Sequence, residues 1–228
     1  VTKLSHIHFV GSNSARNGII KMGEIKSSIF NIGSPDLDVI LKKKLPTLKS
    51  VQKRYSINFK KYCILIWHPV TSNLFSLKND TIKVLDALKK LNRNVVVIYP
   101  NNDPGCEKIL KIYNELNKKR FKILKSLRFE NFISLLKNSE FIFGNSSSAI
   151  YEAPILGIPS FNIGDRQHKR VNLKSIKNLD TNNLNLKIIE DFLKNYKPIK
   201  KNIFGGGNSD KKFLKITTSK SFWGVSTQ

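Results

Sequence analysis

A series of short apolar runs, regularly spaced through the middle of the chain, constrains its fold more than any other feature. Tyr62-Cys63-Ile64-Leu65-Ile66-Trp67 is continuously apolar, and Val95 to Tyr99, Phe121 to Leu124, Phe141-Ile142-Phe143 and Ser160-Phe161-Asn162-Ile163 follow it. Runs this short and this apolar read as strands buried on both faces. Helical stretches lie between and after them: Asn79 to Leu91, with Ile82, Leu85 and Leu88 on one stripe, Gly105 to Arg120, Phe129 to Lys137, Ser147 to Leu156, and Leu186 to Asn195. Strands alternating with helices through short loops imply right-handed crossovers and a parallel sheet covered on both faces. The fold class expected is α/β.

Upstream, Ile7-His8-Phe9-Val10 and Ile29-Phe30-Asn31-Ile32 read as two more strands around a helix from Ser14 to Met22, a βαβ-like piece closed by Gly33-Ser34-Pro35. A helix begins at Asp36 and reaches Leu41, and the Lys-rich stretch from Lys42 to Lys61 reads as a connector. Gly205-Gly206-Gly207 forms a turn before a last helix from Asp210. The expected organisation is therefore a first piece over 1–41, a connector over 42–61, the main domain over 62–210, and a C-terminal helix and tail over 211–228. Val1-Thr2-Lys3 opens without an initiator Met, so the chain is expected to start inside a longer protein.

Composition narrows the function classes. With 228 residues, 40% of them hydrophobic, the chain can close one generous core or one domain plus a piece of another. Lys and Arg number 40 against 16 Asp and Glu, a formal charge of +24 that would suit a polyanion. The lysines, however, are scattered through nearly every helical stretch, with no Arg-rich tail and no aromatics interleaved on one strand face. That pattern describes a solvated coat, and neither a nucleic acid nor a membrane is the expected partner. Cys63 and Cys106 are the only cysteines, which excludes a disulfide framework and a cysteine metal cluster and fits a reducing cytoplasm. No pair of histidines and carboxylates has zinc spacing, so no metal is expected. His6 and His8 flank an apolar strand and read as packing or solvent-facing residues, and His168 as part of a polar loop.

Ligands of parallel sheets sit beyond the carboxyl ends of the strands. Four such ends carry polar or glycine-rich sequence unlike the lysine coat: His68-Pro69-Val70-Thr71, Pro100-Asn101-Asn102-Asp103-Pro104-Gly105, Gly144-Asn145-Ser146-Ser147-Ser148 and Gly164-Asp165-Arg166-Gln167. In the third, Gly144 allows close approach of backbone to ligand, Asn145 or Ser146 can cap, and the serines open a helix whose N–H groups favour phosphate. Glu152 would lie roughly 9 Å along that helix, the separation of a diphosphate from a ribose. A plain N-cap with a surface Glu is the competing reading. Arg166 and Arg170 offer forked donors for phosphate or are solvated arginines. His68 could bind a diphosphate or protonate a leaving group, its unperturbed pKa being near neutrality, or simply occupy a turn.

The segment from Ile142 to Pro159, Ile142-Phe143-Gly144-Asn145-Ser146-Ser147-Ser148-Ala149-Ile150-Tyr151-Glu152 and onward, with Asn162 to Gln167, resembles the UDP-binding segment of the UDP-N-acetylglucosamine 2-epimerases, closest to the hydrolysing branch that feeds sialic and legionaminic acids. His68 to Thr71, Tyr99 to Gly105 and the opening Leu4 to Val10 with Ala15-Arg16-Asn17 are similar to that family in the same order. The resemblance implies two Rossmann-like domains of the glycosyltransferase-B arrangement, of which 1–41 would be the last part of the first. It implies that Ser146 and Ser147 contact the diphosphate and Glu152 the ribose. Arg166 would hold phosphate, His68 the diphosphate or leaving oxygen, and Asn101 would line the cleft. The loop containing Arg128 would read the base. No cofactor is implied; the partner is UDP-N-acetylglucosamine or a diacetamido variant, and a homodimer stays open for the full-length protein. The family's acid–base carboxylates would belong to a first domain mostly outside this chain, which leaves the isolated chain inactive on this reading. A UDP-sugar glycosyltransferase and a basic nucleic-acid or membrane-surface module are the alternatives.

Overall fold

A computed structural model describes residues 2–42, 44–167, 170, 173–198 and 204–224, so His168 lies outside the described residues. The chain divides into two compact units: the described residues of Val1–Lys44 with Asn202–Gln228, and those of Leu45–Lys201.

In the first unit, strands β1 (His8–Val10) and β2 (Ile29–Asn31) pair in parallel, His8 opposite Ile29, joined through α1 (Asn13–Lys21). Helix α2 (Pro35–Lys42) contacts a later helix, α9 (Ser209–Thr217). The Asp38 carboxylate accepts from the N–H groups of Ser209 and Asp210, both at 3.2 Å, and from Ser209 Oγ at 2.6 Å, so α2 supplies the cap of α9. Phe213 of α9 packs at a tilt against Phe9, and Phe222 of α10 (Lys220–Trp223) stacks on Phe9 and packs at a tilt against Phe30 of the two strands. These contacts explain why the C-terminal segment clusters with residues 1–44, where the sequence reading ran the main domain to 210. His8 is buried and bonds Glu24 at 3.3 Å, while His6 is exposed.

The second unit holds a parallel six-stranded sheet in the order β5-β4-β3-β6-β7-β8, formed by β3 (Cys63–Ile66), β4 (Val95–Ile98), β5 (Phe121–Leu124), β6 (Ile142–Gly144), β7 (Ser160–Ile163) and β8 (Ile176–Leu179). The chain builds outward from β3 to β5, crosses back, and builds outward from β6 to β8. Its order therefore reverses between β3 and β6, the place where such sheets leave a crevice at their carboxyl ends. Cys63, Ile64, Leu65, Val95, Val96, Val97, Phe141, Phe143 and Phe161 are fully buried, as their unbroken apolar runs require. Burial also pushes the Cys63 thiol up in pKa. Helices α4 (Leu77–Lys90), α5 (Cys106–Asn114), α6 (Phe129–Lys137), α7 (Glu152–Leu156) and α8 (Leu186–Asn195) connect or follow these strands.

Four local readings change. The expected connector contains α3 (Leu48–Tyr55), capped by Thr47, whose hydroxyl accepts from Ser50 N–H, and anchored by buried Val51. The edge strand β8 is added to the sheet. Helix α5 stops at Asn114 because the chain turns at Asn117, whose carbonyl accepts from Arg120 and Phe121 N–H. Finally, the stretch from Ser147 to Leu156 is a 3-10 turn (Ser147–Ala149) followed by the separate helix α7. Pro154 is the reason: in a continuous helix it would donate nothing to the carbonyl of Ile150 and its ring would clash there, whereas the first turn of a new helix accepts it.

Candidate functional site

The carboxyl ends of β3 and β6 are drawn together by a glycine and an asparagine. Gly144 has φ +131°, and a Cβ placed on it would sit 2.0 Å from the Ile66 carbonyl oxygen. Its freedom therefore serves the close approach of β6 to β3. Next to it, Asn145 is fully buried. Its side-chain Oδ1 accepts from the His68 backbone N–H at 2.8 Å, and its Nδ2 donates to the His68 carbonyl at 2.9 Å. The cap of the following turn is Ser146, whose hydroxyl accepts from Ser148 N–H at 3.3 Å.

The loop after β7 joins the same point. Arg166 Nη1 and Gln167 Nε2 donate to the Asn145 carbonyl at 3.3 and 3.2 Å. An arginine carries five N–H donors, so this bond engages only part of the fork. From the loop after β4, Asn101 N–H donates to His68 Nδ1 at 3.0 Å, and Asn101 Nδ2 donates to Asp103. His68, Asn101, Asn145, Arg166 and Gln167 thus form one hydrogen-bonded cluster drawn from four strand ends. Asn101 Oδ1 and Gln167 Oε1 are buried and accept no hydrogen bond among the described residues, each a cost of roughly 1–3 kcal/mol until something donates to it.

The cluster sets the state of His68. Burial, and then the positive charge of Arg166, lower its pKa to about 4, with Asp103 and the Asn101 side chain opposing. At neutral pH the ring is therefore uncharged, and because Nδ1 accepts from Asn101 its proton resides on Nε2. The ring thus departs from its unperturbed value near neutrality. A neutral Nε2–H can donate a hydrogen bond to an anion, and an arriving anion would draw the pKa back upward.

Ser146 is buried and Ser147 half-buried at the start of the 3-10 turn, beside the cluster in sequence. A three-residue turn has little macrodipole, so any anion there depends on individual N–H groups. Glu152 is half-buried at the first position of α7, on a different segment from the serines, so the distance argued from one continuous helix does not apply. Arg128 is exposed at the N-cap of α6, at the β5 side of the sheet and outside the cluster. Arg170 is exposed. A cavity of about 240 Å³ opens at the same edge of the sheet, lined by Trp67, Ile163, Asp80, Asp165 and Asp180 among others; its carboxylates make it unsuited to phosphate. Sequence reasoning took Asn145 for a possible cap and gave Gln167 no role. An amide flanked by a glycine and a strand end was the only available signal for the first.

Residues 1–218 match the family model described as UDP-N-acetylglucosamine 2-epimerase. A UDP-N-acetylglucosamine 2-epimerase of Neisseria meningitidis serogroup B is 37% identical over 232 residues, covering 100% of this chain and 62% of that protein. A UDP-N,N'-diacetylbacillosamine 2-epimerase (hydrolyzing) of Legionella pneumophila is 35% identical across 79% of this chain and 48% of its own length. The structure of Methanocaldococcus jannaschii UDP-GlcNAc 2-epimerase in complex with UDP-GlcNAc and UDP superimposes with a TM-score of 0.76 at 24% identity, covering 95% of this chain and 62% of that one, a likeness of fold. The parallel-sheet, Rossmann-like expectation is borne out. On the match of its first 218 residues, the chain belongs to the UDP-N-acetylglucosamine 2-epimerase family.

Proposed function

We propose that this chain is the nucleotide-binding part of a hydrolysing UDP-N-acetylglucosamine 2-epimerase, and that it holds the UDP diphosphate at the crevice between β3 and β6. The observation that carries the reading is the cluster at that switch point, where a neutral imidazole with an Nε2–H and a guanidinium fork are tied to one buried asparagine. Ser146 and Ser147 would add donors to the diphosphate, Glu152 would accept from the ribose, Asn101 would line the sugar side, and Arg128 would stand near the base. The hydrolysing subtype is favoured by the relative from Legionella pneumophila, a hydrolyzing UDP-N,N'-diacetylbacillosamine 2-epimerase.

In the reaction proposed for the whole protein, the C2 proton leaves and the C1–O bond to UDP breaks, giving 2-acetamidoglucal. Water then adds across the double bond and releases the 2-epimeric sugar. The C2 proton is next to no carbonyl and is poorly acidic, so the elimination depends on stabilising charge on the departing diphosphate. Arg166 and the Nε2–H of His68 suit that task, and neither group removes a proton in the states described here. Accordingly, the 228 residues are proposed to bind UDP and to turn nothing over.

Isothermal titration tests this reading. UDP should bind the chain, and Arg166→Ala should weaken it at least tenfold, about 1.4 kcal/mol. UDP-N-acetylglucosamine should bind without UDP release. Absence of UDP binding would overturn the nucleotide reading, and substrate-dependent UDP release would overturn the inactive part.

A further inference from the structure

In the cluster, Asn145 has its side chain committed to the loop after β3 and its main chain to the loop after β7. Both polar atoms of its amide bond the backbone of His68, Oδ1 accepting at 2.8 Å and Nδ2 donating at 2.9 Å. Its carbonyl accepts from Arg166 and Gln167, and its own N–H donates to the Ile66 carbonyl at 3.2 Å. The β3–β6 ladder ends at the pair Ile66 and Gly144. Beyond that pair, the side chain of Asn145 takes the place of a backbone partner and keeps the two strand ends in step.

The chemistry is specific to an amide of this length. Aspartate would keep an acceptor for the His68 N–H but set a carboxylate oxygen against the His68 carbonyl, and glutamine is one methylene too long for a gap closed at 2.8 to 2.9 Å. Alanine leaves two backbone groups of His68 without partners. The backbone of His68 in turn determines whether its Nδ1 meets the Asn101 N–H, and that bond selects the ring tautomer.

We infer that Asn145 is a positioning residue: it fixes His68 and Arg166 relative to each other, so that the Nε2–H of one and the guanidinium of the other face the same diphosphate. It acts through those two groups and touches no nucleotide. The inference rests on the reading that UDP binds at this crevice, and it adds the residue on which the arrangement of that site depends.

The test follows the His68 ring by long-range 1H–15N correlation in the histidine-labelled chain, assigned with His68→Gln, alongside UDP titration. The wild type should show the Nε2–H tautomer at pH 7. Asn145→Ala should show mixed tautomers and bind UDP at least tenfold more weakly, with Asn145→Asp intermediate. A merely structural role would lower thermal stability without changing the ring tautomer. Asn145→Ala with a wild-type tautomer and UDP affinity within twofold of wild type overturns the inference. If Asn145→Ala does not fold, Asn145→Asp carries the same comparison, and a wild-type ring in the Nδ1–H form overturns the inference with no variant needed. Should the wild type not bind UDP, the nucleotide reading fails separately; the tautomer comparison alone then supports positioning if the preference is lost, and overturns it if the preference is kept.

Discussion

His68 shows how a residue's surroundings decide its chemistry. Its folded pKa of about 4 lies below the ordinary value of 6.5, so the unfolded chain takes up a proton at a pH where the folded chain does not. Stability from this group is fully present above about pH 6.5 and is lost as pH falls toward 4, at a limiting slope of about 1.4 kcal/mol per pH unit that partial solvent access reduces. Urea denaturation of wild type and His68→Gln at pH 7, 6, 5 and 4.5 should show the wild type losing ground to the variant as pH falls; a constant difference would contradict the assigned burial. Gly144 makes a sterically harder claim. With φ +131° and a Cβ position 2.0 Å from a backbone oxygen, Gly144→Ala has no side chain to push aside and must part β3 from β6. The expected cost is about 3 kcal/mol or more, read as loss of folded protein or a lowered denaturation midpoint, and near-wild-type stability would contradict the close approach.

Among the elements, α9 depends on a cap supplied from α2. Asp38→Ala removes acceptors for Ser209 N–H, Asp210 N–H and Ser209 Oγ, and should destabilise by about 1–2 kcal/mol in equilibrium denaturation; a change within a few tenths would show that the cap contributes little. How far the elements could be read from sequence follows from what marks each one. Phe121–Leu124, Phe129–Lys137, Ser160–Ile163 and Leu186–Asn195 stand at the positions read from apolar pattern, because burial imposes that pattern. The edge strand Ile176-Lys177-Asn178-Leu179 was missed because one side of an edge strand faces no neighbour, and polar residues are tolerated there. Helix α3 was missed because its polar sequence hides a single buried valine among lysines. The split before α7 was legible in principle: Pro154 forbids a continuous helix from Ser147, and its consequence reached beyond where the chain leaves for the next strand.

At the scale of the molecule, a formal charge of +24 gives any anionic nucleotide a favourable long-range field, but it selects no site. Selection belongs to topology. The parallel order β5-β4-β3-β6-β7-β8 reverses beside His68 and Asn145, and that reversal brings four separately read loops to one place. His68, Asn101 and Arg166 were legible because polar strand ends stand out against apolar runs. The bonds joining them were not, because the partner of Asn145 lies 77 residues away and only the strand order reveals it. The most direct measurement is a crystal structure of the chain with UDP. The diphosphate should lie beyond the ends of β3 and β6, within hydrogen-bond distance of His68 Nε2 and the Arg166 guanidinium. Ordered UDP elsewhere on the chain, with those two groups making no contact to phosphate, would contradict the account.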